Sequence, residues 1–273
     1  YTFNFGGTSA ASPLAAGVVA LMLEANPGLT WRDVQHVLVE SARVVDAGDE
    51  RWSVNGDGRL VNEAYGFGAV DALAAVTLAE VWTTVAPETT VSSGVVEVNE
   101  PIPDGTPEGV SRDVFIDESI RIESVELVIN ARSDYIGDLA ISVLSPDGTL
   151  STLTRQRLAD SQDDLIDTLF TSVRHWGEQS GGTWRVHVAD HRAGIAGVWE
   201  DFELRLHGVA LGAGPCAPVD LVEPFGLLDL ADLSAFVIAF LTGDPAADFA
   251  PPQGVFNEAD ITEFVLSFNI GCP

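Results

Sequence analysis

The chain has 273 residues, with 41 acidic side chains against 13 basic ones, all of them arginine, for a net charge of −28. That imbalance excludes a protein that grips nucleic-acid phosphates or anionic membrane surfaces, because both depend on an excess of Lys and Arg. The length accommodates two or three domains and a sizeable core.

No basic, apolar and small-residue succession opens the chain at Tyr1, which therefore reads as a piece that starts in mid-protein. The longest nearly apolar run, residues 10–23, is broken by Ser12, Pro13 and Gly17 and falls short of the ~20 residues that cross a bilayer, so no membrane span is expected. A first helix is predicted from near Ser9 to Ala25, ended by Asn26-Pro27-Gly28. It is apolar on every face and so is expected to be buried. Pro13 is expected in its first turn, where a missing N–H removes no intrahelical bond. Thr30 and Asp33 resemble a capping box ahead of Val34, Val37, Leu38 and Ser41, which recur at helical spacing. A third apolar stretch, residues 69–81, follows the turn-rich run Val54-Asn55-Gly56-Asp57-Gly58.

Residues 87–112 contain Pro87, Gly94, Pro101, Pro103, Gly105, Pro107 and Gly109 and read as a linker or an irregular entry into the next domain. Beyond them the period changes to two: Ile120, Ile122, then Val125, Leu127, Ile129, then Leu139, Ile141, Val143 before Pro146-Asp147-Gly148. Trp184-Val186-Val188 and Phe202-Leu204-Leu206 repeat the alternation. Short strands without intervening helices predict an antiparallel sandwich of the jelly-roll kind. In the last segment Asp220, Gly226, Asp232, Phe236, Phe240, Gly243 and Pro245 return 28 residues later as Asp248, Gly254, Asp260, Phe264, Phe268, Gly271 and Pro273. The expected domains are therefore 1–86, 87–209 and 210–273. Cys216 and Cys272 flank the repeats; a disulfide between them is expected and fits an oxidising compartment.

The informative motif is Gly6-Gly7-Thr8-Ser9-Ala10-Ala11-Ser12-Pro13 at the start of the apolar helix. A serine there is either a helix cap or a nucleophile beside unpaired N–H groups that stabilise a developing oxyanion. The wider pattern decides between them: residues 6–38, then WSVNGDGRLVNEAYGFGAVDA at 52–72, then WTTVAP at 82–87 resemble the subtilisin-like serine proteases, specifically the kexin/furin-like proprotein convertases. GDLAISVLSPDGTLSTL at 137–153, HWGEQSGGTWRVHVAD at 175–190 and LRLHG at 204–208 are similar to the P domain of that family. The resemblance implies the end of an α/β catalytic domain followed by a β-sandwich P domain, with Ser9 as nucleophile and its own N–H as one oxyanion donor. It also implies that the Asp, the His and the second oxyanion donor precede Tyr1, and that cleavage follows basic residues of a protein or peptide substrate. His36, His175, His187, His191 and His207 all follow Ser9, and none is expected to act as its base. The chain by itself is expected to be inactive. Residues 1–86, short of the sheet that should cover the first helix, are expected to aggregate alone.

The remaining candidates have plainer alternatives. Residues 55–58 read as a tight turn more readily than as a calcium loop. The repeats are similar to dockerin-like, degenerate EF-hand pairs of secreted bacterial proteins. Asp220, Asp229, Asp232, Asp248, Asn257 and Asp260 offer oxygens there, but Val222, Pro224, Ala250 and Pro252 occupy positions where ligands are needed, so calcium is an open option and an anchoring or sorting tag the preferred one. Trp176, Trp184 and Trp199 are either a glycan-binding strip or core, and Asp134, Asp138 and Asp190 either calcium ligands or turn caps. The sequence therefore supports a secreted or cell-surface serine endopeptidase; the alternative is a non-enzymatic surface-binding module formed by the sandwich and the repeats.

Overall fold

The computed structural model describes residues 6–211, 218–222, 228 and 230–271. The chain divides into two compact units, residues 1–82 with 87–209 and residues 83–86 with 210–273. Cys216, Cys272, Gly226, Pro224 and Asp229 lie outside the described residues, and so does the expected disulfide.

In the first unit a helical layer comprises α1 (Thr8–Ala25), α2 (Trp31–Glu40) and α3 (Ala72–Glu80), with a hairpin of β1 (Trp52–Val54) and β2 (Leu60–Asn62). The Thr30–Asp33 capping box forms as expected, and Asp71 caps α3 by accepting from the Ala74 N–H. Met22, Leu29, Val37, Ala75 and Ala79 make the layer's core. Two expectations for α1 are corrected. Of its 18 residues only Met22 is buried, while Leu14 is 74% exposed, so its apolar surface is largely uncovered. By length and composition α1 is also apolar enough to cross a membrane, a property that core helices share. Pro13 lies in the second turn, because Gly7 is the N-cap and Ala11 already donates to the Gly7 carbonyl. Its missing N–H is the one that would have paired with the Ser9 carbonyl.

The rest of this unit is a sandwich of two four-stranded sheets. One has the order β3 (Glu88–Ile102), β10 (Gly197–Ala210), β5 (Ile120–Arg132), β8 (Leu165–Ser172). The other has the order β4 (Val110–Ile116), β9 (Gly182–Asp190), β6 (Leu139–Leu144), β7 (Leu150–Thr154). The alternating apolar residues face inward, with Trp184, Trp199 and Phe202 fully enclosed. Those tryptophans and Trp176, 4% exposed, are core rather than a ligand-binding strip. The supposed linker is corrected to the 15-residue strand β3 followed by β4. Its glycine and proline are tolerated because β3 lies at a sheet edge. Gly94, at φ 63°, sits in a bulge where two residues, Ser93 and Gly94, face Leu204 alone, and Pro101 falls next to the strand's end.

The second unit contains α4 (Leu230–Thr242) and α5 (Glu258–Ile270), separated by a short 3₁₀ turn at Pro245–Ala247. Phe236 and Phe264, which are 28 residues apart, stack with ring centroids 3.9 Å apart, and Val219, Ala239 and Ala247 complete the core.

Candidate active-site serine and the seam beside it

Gly7 caps α1 at φ 74°, a conformation that glycine adopts without strain, and offers no side chain to the helix end. Ala10 and Ala11 both donate to the Gly7 carbonyl, at 3.1 and 3.2 Å. The N–H groups of Thr8 and Ser9 precede the first helical bond and have no intrahelical acceptor. Ser9 is thus the second helical residue rather than the cap, and its side chain is exposed. A partial positive charge of the helix dipole surrounds its hydroxyl, an arrangement that favours a developing oxyanion.

Four of the five histidines, His191 apart, have partners elsewhere. His36 Nε2 lies 2.7 Å from Glu123 Oε1, His187 Nδ1 3.0 Å from Ser111 Oγ, and His207 Nδ1 2.9 Å from Thr90 Oγ1. His175 is fully buried, with Nδ1 3.4 Å from Glu178 Oε2. Among the described residues the Ser9 hydroxyl has no hydrogen bond to any of them.

The helical layer and the sandwich meet along a polar seam. Arg32 on α2 donates through Nε and Nη2 to the two oxygens of Glu123 on β5, at 2.8 and 2.6 Å, with both side chains buried. His36 completes the cluster against Trp82 and Trp176. Burial acts to raise the Glu123 carboxyl, but hydrogen bonds from His36 and Arg32 outweigh it and hold the group below the usual carboxylate range. The hairpin turn between β1 and β2 inserts alongside. Asn55 accepts from the Asp57 and Arg59 N–H groups and donates to the Arg174 and Trp176 carbonyls, and the Gly56 N–H reaches Glu178 Oε1 at 2.8 Å. The run 55–58 is a turn that plugs the sandwich.

Gly177 sits at φ 87°, and a Cβ there would lie 2.2 Å from Asp57 Oδ2 and 2.4 Å from its Cγ. Gly177→Ala is therefore expected to cost about 2 kcal/mol or more, combining left-handed strain with displacement of a confined carboxylate. Urea unfolding measures this, and an unchanged midpoint would show that the turn is not seated there.

Glu178 supplies a pH dependence. Burial acts to raise its carboxyl, but His175, the Thr149 hydroxyl, the Gly56 N–H and Ser145 prevail and hold it at about 2, against an ordinary 4.5. A depressed carboxylate contributes stability that is complete above pH 4.5 and is lost as the pH falls toward 2. Burial pushes the Asp57 and Asp147 carboxyls up, so they run the other way. The comparison of native protein with Glu178→Gln isolates the effect. The variant is expected to be less stable by roughly a few kcal/mol near neutral pH, with the gap closing in acid. A gap that does not vary with pH would count against the assignment.

Several of the acidic candidates are hydrogen-bonded within the fold. Asp190 Oδ1 accepts from the Arg192 N–H, and Asp138 is buried. Asp232 Oδ1 accepts from the Leu221 and Val222 N–H groups, and Asp260 accepts from Ala250 on one oxygen and Asn257 on the other. The Asn257 and Ala250 N–H groups hold the Asp260 carboxyl below its usual range. Asp232 and Asp260, turned onto their own loop backbone, do not suit the oxygen cage of a calcium ion, and no group of three His, Cys, Asp or Glu side chains placed to hold a metal occurs among the described residues.

Comparison with known proteins accounts for this arrangement. The Subtilase family profile matches residues 1–68, and the Proprotein convertase P-domain profile matches residues 122–206. Furin of Mus musculus is 39% identical over 217 residues, covering 77% of this chain and 27% of furin. Kexin of Candida albicans is 32% identical over 246 residues, covering 82% of this chain and 26% of kexin. The chain belongs to the kexin/furin-like subtilases. Its structure is similar to that of a serine protease of Aeromonas sobria, with a TM-score of 0.67 and 25% identity over 75% of this chain and 44% of that one. The chain spans a third or less of the length of the curated relatives it matches.

Glu123, which anchors the seam, was missed by sequence reasoning. Its signal was a slip of phase: Ile122 and Glu123 are consecutive buried residues, and the alternation resumes on the other parity at Val125.

Proposed function

We propose that the chain carries the nucleophile and the P domain of a secreted or cell-surface serine endopeptidase, with Ser9 as the attacking residue and its own N–H as an oxyanion donor. The observation that carries this reading is the exposed Ser9 at the unpaired end of α1, within the segment that matches the subtilases. The general base and its carboxylate partner are assigned to parts of the family's catalytic domain that this sequence does not include. So is the layer that covers α1, whose uncovered apolar face invites one. A net charge of −28 favours the approach of basic peptides, in keeping with cleavage after basic residues.

The test is active-site labelling. A form extended upstream through the catalytic domain is expected to take up a fluorophosphonate probe and to lose that labelling on Ser9→Ala. The 273-residue chain alone is expected to show no Ser9-dependent peptide hydrolysis, because a serine without its base keeps only the binding and oxyanion contributions. Labelling that survives Ser9→Ala would overturn the assignment. The C-terminal helices, whose loops their own carboxylates hold, are proposed as an anchoring or sorting tag.

A further inference from the structure

The outer face of the sheet β4-β9-β6-β7 holds a pocket of about 410 Å³, far along the chain from Ser9. Its origin lies in the strand register. Ser111 pairs with His187, His187 with Ser142, and Ser142 with Thr152, so one cross-strand row on this face is polar across all four strands. The next row begins Ala189–Ala140, two small side chains that leave a hollow where larger residues would fill the surface. A register shift between Ile141 and Ser142 bends β7 beside it, and Arg155 and Gln156, which follow β7, form a wall. His191, just beyond β9, forms another.

The chemistry of this lining runs against that of the chain. In a protein with 41 acidic residues, the pocket is lined by a guanidinium, two imidazoles, hydroxyls and an amide, and by no carboxylate. Arg155 meets Glu63 through Nη2 alone, at 2.7 Å to each oxygen, which leaves its Nε and Nη1 donors for a ligand. Ser111 Oγ, 3.0 Å from His187 Nδ1, orients that ring and leaves Nε2 as its other hydrogen-bonding edge. The adjacent Asp190 carboxylate is on the opposite, buried side of β9 and bonds to the Arg192 N–H.

We infer that this pocket binds a carboxylated sugar of the uronic-acid class, independently of peptide cleavage. Arg155 and His191 would take the carboxylate, the hydroxyl row of Ser142 and Thr152 with Gln156 would take the sugar hydroxyls, and the alanine floor would meet the ring's C–H face. The volume lies within the usual range for small-ligand sites. Recognition of a sugar on this face would place the protease on polysaccharide-rich surroundings while leaving Ser9 free.

The test titrates the 273-residue chain with galacturonate, galactose and sodium sulfate by calorimetry at low salt. Galacturonate is expected to bind with a low-millimolar Kd, and galactose and sulfate each at least about tenfold more weakly. Ala140→Leu, which fills the floor, and Arg155→Gln are each expected to weaken galacturonate about tenfold or more. Circular dichroism and thermal melting confirm that these surface variants fold; should Ala140→Leu fail to fold, His191→Ala, at an exposed position, serves in its place. Three results would overturn the proposal: no galacturonate heat up to about 10 mM, equal binding of galactose or sulfate, or unchanged affinity in the folded variants.

Discussion

Ser9→Ala, made in a form of the protein that includes the upstream catalytic residues, is expected to lower kcat on the order of 10⁶-fold, the loss that follows removal of a triad nucleophile. KM is expected to change little, because the hydroxyl acts in bond formation and not in holding the remainder of the substrate. Residual hydrolysis would come from the helix N-terminus, whose unpaired N–H groups survive the substitution. Steady-state kinetics on a peptide with paired basic residues reads both parameters. A variant that retains more than about a hundredth of kcat would remove Ser9 from the reaction, since a general contribution to binding or acid–base chemistry is of that size.

The second large effect is on stability. Glu123→Gln is expected to destabilise the protein by about 3–5 kcal/mol, because it removes the charged acceptor of both Arg32 hydrogen bonds from a buried cluster. Replacing both partners together, Arg32→Met with Glu123→Leu, is expected to recover most of the loss, since a matched apolar pair carries no stranded charge. The contrast between single and double variants in urea unfolding is the diagnostic quantity. If both are equally destabilised, or the single variant costs less than about 1 kcal/mol, as a surface pair would, the Arg32–Glu123–His36 cluster does not join the helical layer to the sandwich. The consequence for function is positional. Arg32 and His36 lie on α2, which packs with α1 and α3 in one core, so the seam fixes the layer from which Ser9 projects.

Legibility in the sequence followed the range of the interactions involved. The capping box at Thr30 and Asp33 and the alternation of β5, β6, β9 and β10 rest on contacts within a few residues or on one face of a strand, and the structure has them where periodicity places them. β3 was missed because glycine and proline weigh against a strand when its position in the sheet is unknown. At an edge, the missing proton of Pro101 and the bulge at Gly94 cost little. Pro13 was misplaced by a turn because the cap at Gly7 depends on a backbone angle rather than on a capping side chain.

A charge of −28 weighed against nucleic-acid and anionic-membrane partners, and the serine motif with its surroundings pointed to a subtilase nucleophile followed by a P domain, both from sequence alone. The same arithmetic says nothing about which charges matter. Arg32 and Glu123 are 91 positions apart, and their worth comes from shared burial, which neither residue's neighbours in the chain encode. Likewise the row Ser111–His187–Ser142–Thr152 and the hollow beneath Arg155 exist only once four strands adopt a common register. Tertiary structure turned a uniformly acidic chain into a buried ion-pair seam and one pocket lined without carboxylates, because folding alone decides which side chains leave water together.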